Sequence, residues 1–168
     1  ISDSAFYRCS ELAQISLPTS LKSIGKNAFG YSGLKYINIL EGVTSIGESA
    51  FYESEIYVIE LPRTLNFIGD RAFISRNLKD VVYSGTEAEW GNISVDYSVN
   101  PYLKNATKHY AVVASGKCGD SAYWYLDQNY VLTIAGSGCM YDYEPDNQPW
   151  LNLRDQMKGV IVGGSVTK

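Results

Sequence analysis

The residues from which chemistry could be built in this chain are one histidine, His109, three cysteines at positions 9, 118 and 139, and the acidic alternation Asp142, Glu144 and Asp146. A nucleophile needs a base within hydrogen-bond reach and a third group to orient that base. His109 stands in Lys108-His109-Tyr110 with nothing in the spacing to recruit it, so it reads as a structural or surface residue of a closing strand. A zinc site would have to combine it with cysteines scattered along the chain, without a short Cys-x-x-Cys pair. Asp142, Glu144 and Asp146 alternate as the oxygens of a calcium loop do, but the turn glycine and the distal glutamate are missing, and a solvated acidic loop is the simpler reading. Gly136-Ser137-Gly138 is too short for a phosphate loop and reads as a turn. Asn92-Ile93-Ser94 and Asn105-Ala106-Thr107 match the glycosylation triplet, a pattern common by chance. Cys118 and Cys139 can meet across a hairpin or remain buried or partly buried thiols, and an odd count leaves at least one cysteine unpaired. The chain therefore reads as non-enzymatic, with no catalytic residue, no cofactor and no metal.

Charge narrows the partners. The 168 residues carry 14 Lys and Arg against 18 Asp and Glu, a net charge of −4. Nucleic acid would require a basic stripe, and the cations here are scattered. No apolar run approaches the length of a membrane span, so no membrane insertion is expected of this segment. What remains is recognition by a surface, and the elements that shape that surface come next.

The chain repeats itself. Ala-Phe falls at Ala5-Phe6, Ala28-Phe29, Ala50-Phe51 and Ala72-Phe73, and Ile-Gly at Ile24-Gly25, Ile46-Gly47 and Ile68-Gly69. Apolar residues recur at Leu12, Ile15 and Leu17, then Leu34, Ile37 and Ile39, then Ile56, Ile59 and Leu61, then Leu78, Val81 and Tyr83, at a constant step of 22. A period in the twenties marks a solenoid, where each turn buries its apolar face only against its neighbours. The alternation of Ile15 and Leu17 with Gln14 and Ser16 is that of a half-buried strand, and Pro18 and Pro62 end the ladder because proline has no N–H. Gly25, Gly47 and Gly69 mark a corner needing positive φ or close backbone approach. The four phenylalanines can stack into a spine.

Leu34-Lys35-Tyr36-Ile37-Asn38-Ile39, Val43-Thr44-Ser45-Ile46-Gly47 and Ala50-Phe51, with the same phrases in neighbouring copies, resemble the BspA-like leucine-rich repeats of bacterial surface proteins. Cys9 follows the first Ala-Phe as a cysteine often does in that family. Later copies have Ser32, Ser54 and Arg76 near that place, which rules out a cysteine ladder. The resemblance covers residues 1 to about 85. It implies a curved solenoid of short parallel strands, an extracellular or bacterial cell-surface location, and a role in adhesion or protein binding, with a host or bacterial surface protein as partner.

Beyond the repeats, Thr86 to Trp90 reads as a short helix with a Thr86 and Glu89 capping box, laying Trp90 over the open edge of a repeat array that stops near Ser84-Gly85. Ile93 and Val95 suggest a strand, and Ala106 to Tyr110 a closing strand. Residues 1–110 are thus expected to form a repeat block with a C-terminal cap at about 86–110. Residues 111–156 are expected to form a small β-rich spacer module. Its hairpin pairs Ala122 to Leu126 with Tyr130 to Gly136 through Asp127-Gln128-Asn129, and a short helix spans Trp150 to Met157. Cys118-Gly119-Asp120, Trp124-Tyr125-Leu126, Leu132 to Gly138 and Pro149-Trp150 resemble the spacer found beside such repeats. Met157 to Val162 with Val166-Thr167-Lys168 match Leu34 to Ile39 with Val43-Thr44-Ser45, so residues 157–168 are expected to start a further repeat. On that reading the chain is a piece of a longer protein.

The candidate binding face follows from strand alternation. If Ile15 and Leu17 point inward, the outward columns are Gln14, Tyr36, Val58 and Asp80, and Ser16, Asn38, Glu60 and Val82, flanked by Lys35, Tyr57 and Lys79. These positions vary from repeat to repeat, and Tyr36 and Tyr57 are favoured interface anchors. Two alternatives stand beside protein binding. One is glycan recognition by the spacer through Tyr123, Trp124, Tyr125, Tyr141, Tyr143 and Trp150, and the other is a purely structural stalk.

Overall fold

A computed structural model of the chain describes residues 1–163 and 166–167. In chain order the strands are β1 (Ser23–Ile24), β2 (Tyr36–Asn38), β3 (Ser45–Ile46), β4 (Val58–Leu61), β5 (Phe67–Ile68), β6 (Asp80–Tyr83), β7 (Ser94–Val95), β8 (Thr107–His109), β9 (Val112–Lys117), β10 (Gly119–Asp127), β11 (Val131–Met140), β12 (Gly159–Val162) and β13 (Val166–Thr167). Helices α1 (Glu87–Trp90) and α2 (Pro101–Asn105) are short, and a 3-10 turn spans Leu151–Gln156. The described residues are mostly strands with few helices, and no sheet closes into a barrel. They divide into two compact units, Ile1–Tyr110 and Ala111–Lys168.

In the first unit the 22-residue step becomes two parallel sheets. One runs β1-β3-β5-β7 and the other β2-β4-β6-β8. Register is repeat on repeat: Tyr36 faces Val58 and Val58 faces Asp80, while Ser23 faces Ser45 and Ser45 faces Phe67. A third hydrogen-bond ladder links the Ala-Phe segments, where Phe29 N–H donates to Ala50 O and Phe51 N–H to Ala72 O. The backbone of each central repeat is therefore satisfied on three sides by its neighbours. Within, Phe29, Phe51 and Phe73 are fully buried beside Leu34, Ile37, Ile59 and Val81. The four phenylalanine rings stack at 5.2, 5.3 and 5.3 Å between centroids, and Phe6, in the first repeat, is only partly buried.

The glycine corners work by close approach, with no positive φ at Gly25, Gly47 or Gly69. A Cβ on Gly69 would lie 2.6 Å from Glu48 N and 2.7 Å from Gly47 C, so the backbone of one repeat lies against the next only without a side chain there. Two places beyond each of these glycines a non-glycine residue is left-handed, Asn27, Ser49 and Arg71.

Three features depart from the sequence expectation. Residues 12–17 form no strand: Leu12, Ile15 and Leu17 pack partly buried against the core, but no ladder ties them to β2. The repeat array does not stop near Ser84-Gly85, because β7 extends one sheet and β8 the other. The step from Asp80 to its partner Thr107 is longer than 22, since α1 is inserted, and the fixed period misses it. Helix α2, started by Pro101 at its first turn, was not read from the sequence at all. The expected capping box is present: Thr86 Oγ1 accepts from Glu89 N–H, and the Glu89 carboxylate accepts from Thr86 N–H. It turns Trp90 inward, with its ring 5.2 Å from that of Tyr83 and its Nε1 donating to Tyr97 Oη at 3.0 Å.

The last Ala-Phe segment ends its ladder on a side chain. Asn100 is fully buried, and its Oδ1 accepts from Phe73 N–H while its Nδ2 donates to Gly69 O and Asp96 O. The amide thus replaces the backbone carbonyl that the next Ala-Phe would have supplied.

In the second unit β9, β10 and β11 are antiparallel, and β12 and β13 add parallel strands to β11. The hairpin is longer than the sequence expectation, and β9 joins it where only a change of composition was read. Cys118, Trp124, Leu126, Leu132 and Ile134 form its core, with Trp150 packed against them. Of the expected further repeat, Gly159–Val162 and Val166–Thr167 pair with β11, and Gly164, Ser165 and Lys168 lie outside the described residues.

Candidate binding face

The sheet β2-β4-β6-β8 brings the outward positions into two rows. Tyr36, Val58, Asp80 and Thr107 form one, and Asn38, Glu60, Val82 and His109 the other. Gln14 and Ser16 are exposed but belong to neither row, because residues 12–17 are not a strand. Lys35 and Lys79 are exposed along the flank and Tyr57 is half-buried.

The middle of this face is not open to solvent. Val58 and Val82 are buried, and so are the carboxylates of Glu60 and Asp80, at 9% and 8% exposure. Buried carboxylates require partners, and each has one from across the sheet. Tyr36 Oη donates to Glu60 Oε1 at 2.5 Å, and His109 Nε2 lies 2.8 Å from Asp80 Oδ1. Both links reach diagonally over an apolar neighbour, so the rows are pinned together as one rigid polar surface. His109, read from sequence as a structural or surface residue of a closing strand, is thus also a member of the face. The offset from Val82 to its partner His109 was the signal that a fixed step of 22 concealed.

The acidic and cysteine candidates stay apart. Among the described residues no group of three or more His, Cys, Asp or Glu gathers to hold a metal. Asp146 lies 3.5 Å from Arg154 at the surface. All three cysteines are free, so Cys118 and Cys139 are not bridged: Cys118 is buried and Cys139 exposed. Burial pushes the Cys118 thiol up to about 11.

Of the six aromatics considered for stacking sugars, Tyr123, Trp124 and Tyr125 are buried. Trp150 lies between Trp124 and Tyr143, edge to face at 6.0 and 5.9 Å, which makes it a packing residue of the second unit. Tyr141 is exposed and donates to Asp120 at 3.0 Å.

Residues 1–100 match the model of the BspA type leucine rich repeat region, in six copies. Among solved structures, the chain is similar to a leucine rich cell surface protein from Faecalibacterium prausnitzii A2-165, at 30% identity and a TM-score of 0.54, over 56% of this chain and 26% of that one. It is also similar to a leucine-rich repeat protein from Bacteroides ovatus ATCC 8483, at 30% identity and a TM-score of 0.45, over 49% of this chain and 22% of that one. The chain thus spans about a quarter of the length of these structures. Among curated proteins none matches it. No helix among the described residues is long and apolar enough to cross a membrane.

Proposed function

The chain belongs to the BspA-type leucine-rich repeat family, and from that premise we propose that it is a non-catalytic interaction scaffold, at the bacterial cell surface or secreted, that binds a protein ligand in adhesion. Its first unit acts as a solenoid offering the rows of β2-β4-β6-β8. The observation that carries this reading is the pinning of Glu60 by Tyr36 and of Asp80 by His109. A face whose side chains are already fixed loses little conformational freedom when a partner docks, so more of the contact energy appears as affinity. Tyr57 and the exposed Lys35 and Lys79 flank those rows with an aromatic and two cations, types suited to the rim and anchor of an interface. The name of the Faecalibacterium neighbour supports a surface location.

The second unit serves in this proposal as a spacer between repeat blocks, with residues 157–168 beginning the next. β12 is consistent with that role, since its Val160, Ile161 and Val162 are more than half exposed and offer an apolar strand to a following repeat.

The test is a binding screen of the chain against host matrix and bacterial surface proteins, followed by paired replacement of Tyr36 and Tyr57 by Ser. Loss of about 1–2 kcal/mol of affinity is expected for surface anchors, with the fold retained but melting lowered, because the buried Glu60 loses the Tyr36 hydroxyl. Full affinity of that variant, together with loss on replacing Tyr141 and Tyr143, would move the function to the second unit.

A further inference from the structure

Beside the end of the same sheet, in the last repeat of the first unit, lies a cavity of about 370 Å³ that borders the proposed binding rows and shares Asp80 and Lys79 with them. One wall comes from the segment entering β6, with Arg76, Lys79 and Asp80, and the opposite wall from α2 and the start of β8, with Tyr102, Asn105 and Thr107; Leu78 completes the lining. The α2 wall is held in place. Lys108 Nζ donates to the carbonyls of Leu103, Lys104 and Ala106 at 2.6 to 2.7 Å, so its ammonium caps the open end of the helix.

The chemistry of the lining is mixed in a specific way. Arg76 and Lys79 are exposed cations, while Asp80 is a buried carboxylate whose Oδ1 is fixed by His109. Asn105 offers an amide and Thr107 a hydroxyl, and Tyr102 is a half-buried ring. A simple anion would satisfy the two cations but would bring its charge beside Asp80. A neutral sugar would satisfy Asp80, Asn105 and Thr107 with its hydroxyls but leave the cations unused. One ligand class suits all of these groups: a carboxylate for Arg76 and Lys79, hydroxyl donors for Asp80, hydroxyls of either sense for Asn105 and Thr107, and an apolar ring face for Tyr102 and Leu78. The volume is at the lower end of the roughly 300–1,000 Å³ usual for small-molecule sites, suited to a single substituted ring.

We propose that this cavity binds a carboxylated sugar, a uronic or sialic acid residue at the end or side of a glycan. An acidic peptide is the competing occupant, since its carboxylates suit the cations and its backbone N–H groups can reach Asp80, and the oligoglutamate comparison separates the two. The site shares Asp80 and Lys79 with the proposed protein-binding face but is lined by neither Tyr36 nor Tyr57, so replacing those two tyrosines tests protein binding without touching the cavity.

The test is a titration of the whole chain, followed by NMR or calorimetry, with glucuronate and N-acetylneuraminate as probes and glucose, acetate and a short oligoglutamate as comparisons. Saturable binding of at least one acidic sugar is expected, at a Kd of about 0.1–10 mM, as for one small ring in an open site. The double variant R76Q/K79Q should weaken it at least about tenfold and abolish the preference over glucose. N105A, an exposed change on α2, should weaken it about threefold or more with unchanged melting, which keeps the proposal testable even if R76Q/K79Q fails to fold. Three results would overturn the proposal: no saturation by either acidic sugar, acetate or oligoglutamate binding as tightly as the sugars, or glucose binding as tightly as glucuronate.

Discussion

The two units solve the burial of their apolar residues in opposite ways. In the first, parallel strands meet the same repeat position one repeat away, so a few inward columns fix the core while the outward rows differ in residue type from repeat to repeat. In the second, β9, β10 and β11 are antiparallel, and Tyr123 to Leu126 are buried consecutively, on both faces of β10. Every side chain of that central strand segment is committed to packing. The contrast teaches where a binding surface can vary at little structural cost: at the exposed ends and flank of the first unit's rows, such as Asn38, Thr107, Lys35 and Lys79, and only at the rim of the second.

The comparison can be broken most forcefully at the phenylalanine stack. Phe51 is fully buried between Phe29 and Phe73, and F51A should cost about 3–5 kcal/mol in chemical denaturation. F6A, at a partly buried ring with a single stacked neighbour, should cost clearly less. Equal losses at the two positions would mean that the repeats do not share one continuous core.

Asn100 comes next in size. Replacement by Ala removes the acceptor of Phe73 N–H and the donor to Gly69 O inside a buried site, at about 2–3 kcal/mol for orphaned buried groups. A melting temperature unchanged in N100A would show that the third ladder ends without it.

Which of these features the sequence revealed depends on period. Phe29, Phe51 and Phe73 were legible because several coupled positions recur at one offset. Asn100 was not, because a single side chain that substitutes for a backbone carbonyl leaves no repeat signature. Ile93 with Val95 and Ala106 to Tyr110 were read as strands, but the insertion of α1 hid their place as β7 and β8 in the two repeat sheets, and with it the approach of His109 to Asp80. Residues 12–17 carry the alternation of a strand yet form none, because alternation reports a buried side and not a hydrogen-bonded neighbour. In the second unit the Ala122 to Gly136 hairpin was legible from alternation and turn residues, whereas β9, rich in small residues as Ala114-Ser115-Gly116, was not. The candidate face was half legible. Alternation located Tyr36, Val58, Glu60 and Asp80, but their burial comes from cross-strand partners that no local pattern encodes.

A smaller effect sharpens the comparison at the inserted helix. T86A removes the capping hydroxyl of α1 and should cost about 1 kcal/mol at neutral pH. Glu89 is held below the usual carboxylate range, chiefly by the Thr86 backbone N–H and then by Arg63. A depressed carboxylate stabilises the fold above its unfolded pKa of roughly 4.3 and loses that contribution as pH falls through the folded value. The helix should therefore weaken only below that point, which an E89Q variant, insensitive over the same interval, would verify by its flat stability profile.

The central claim, that the outward rows of the first unit do the binding, is tested most directly by side-chain footprinting with hydroxyl radicals on the chain alone and in complex with a protein ligand from the screen. The account predicts that Tyr36 and Tyr57 become protected in the complex while Tyr141 and Tyr143 oxidise as before. Protection of Tyr141 and Tyr143 with Tyr36 and Tyr57 unchanged would contradict it.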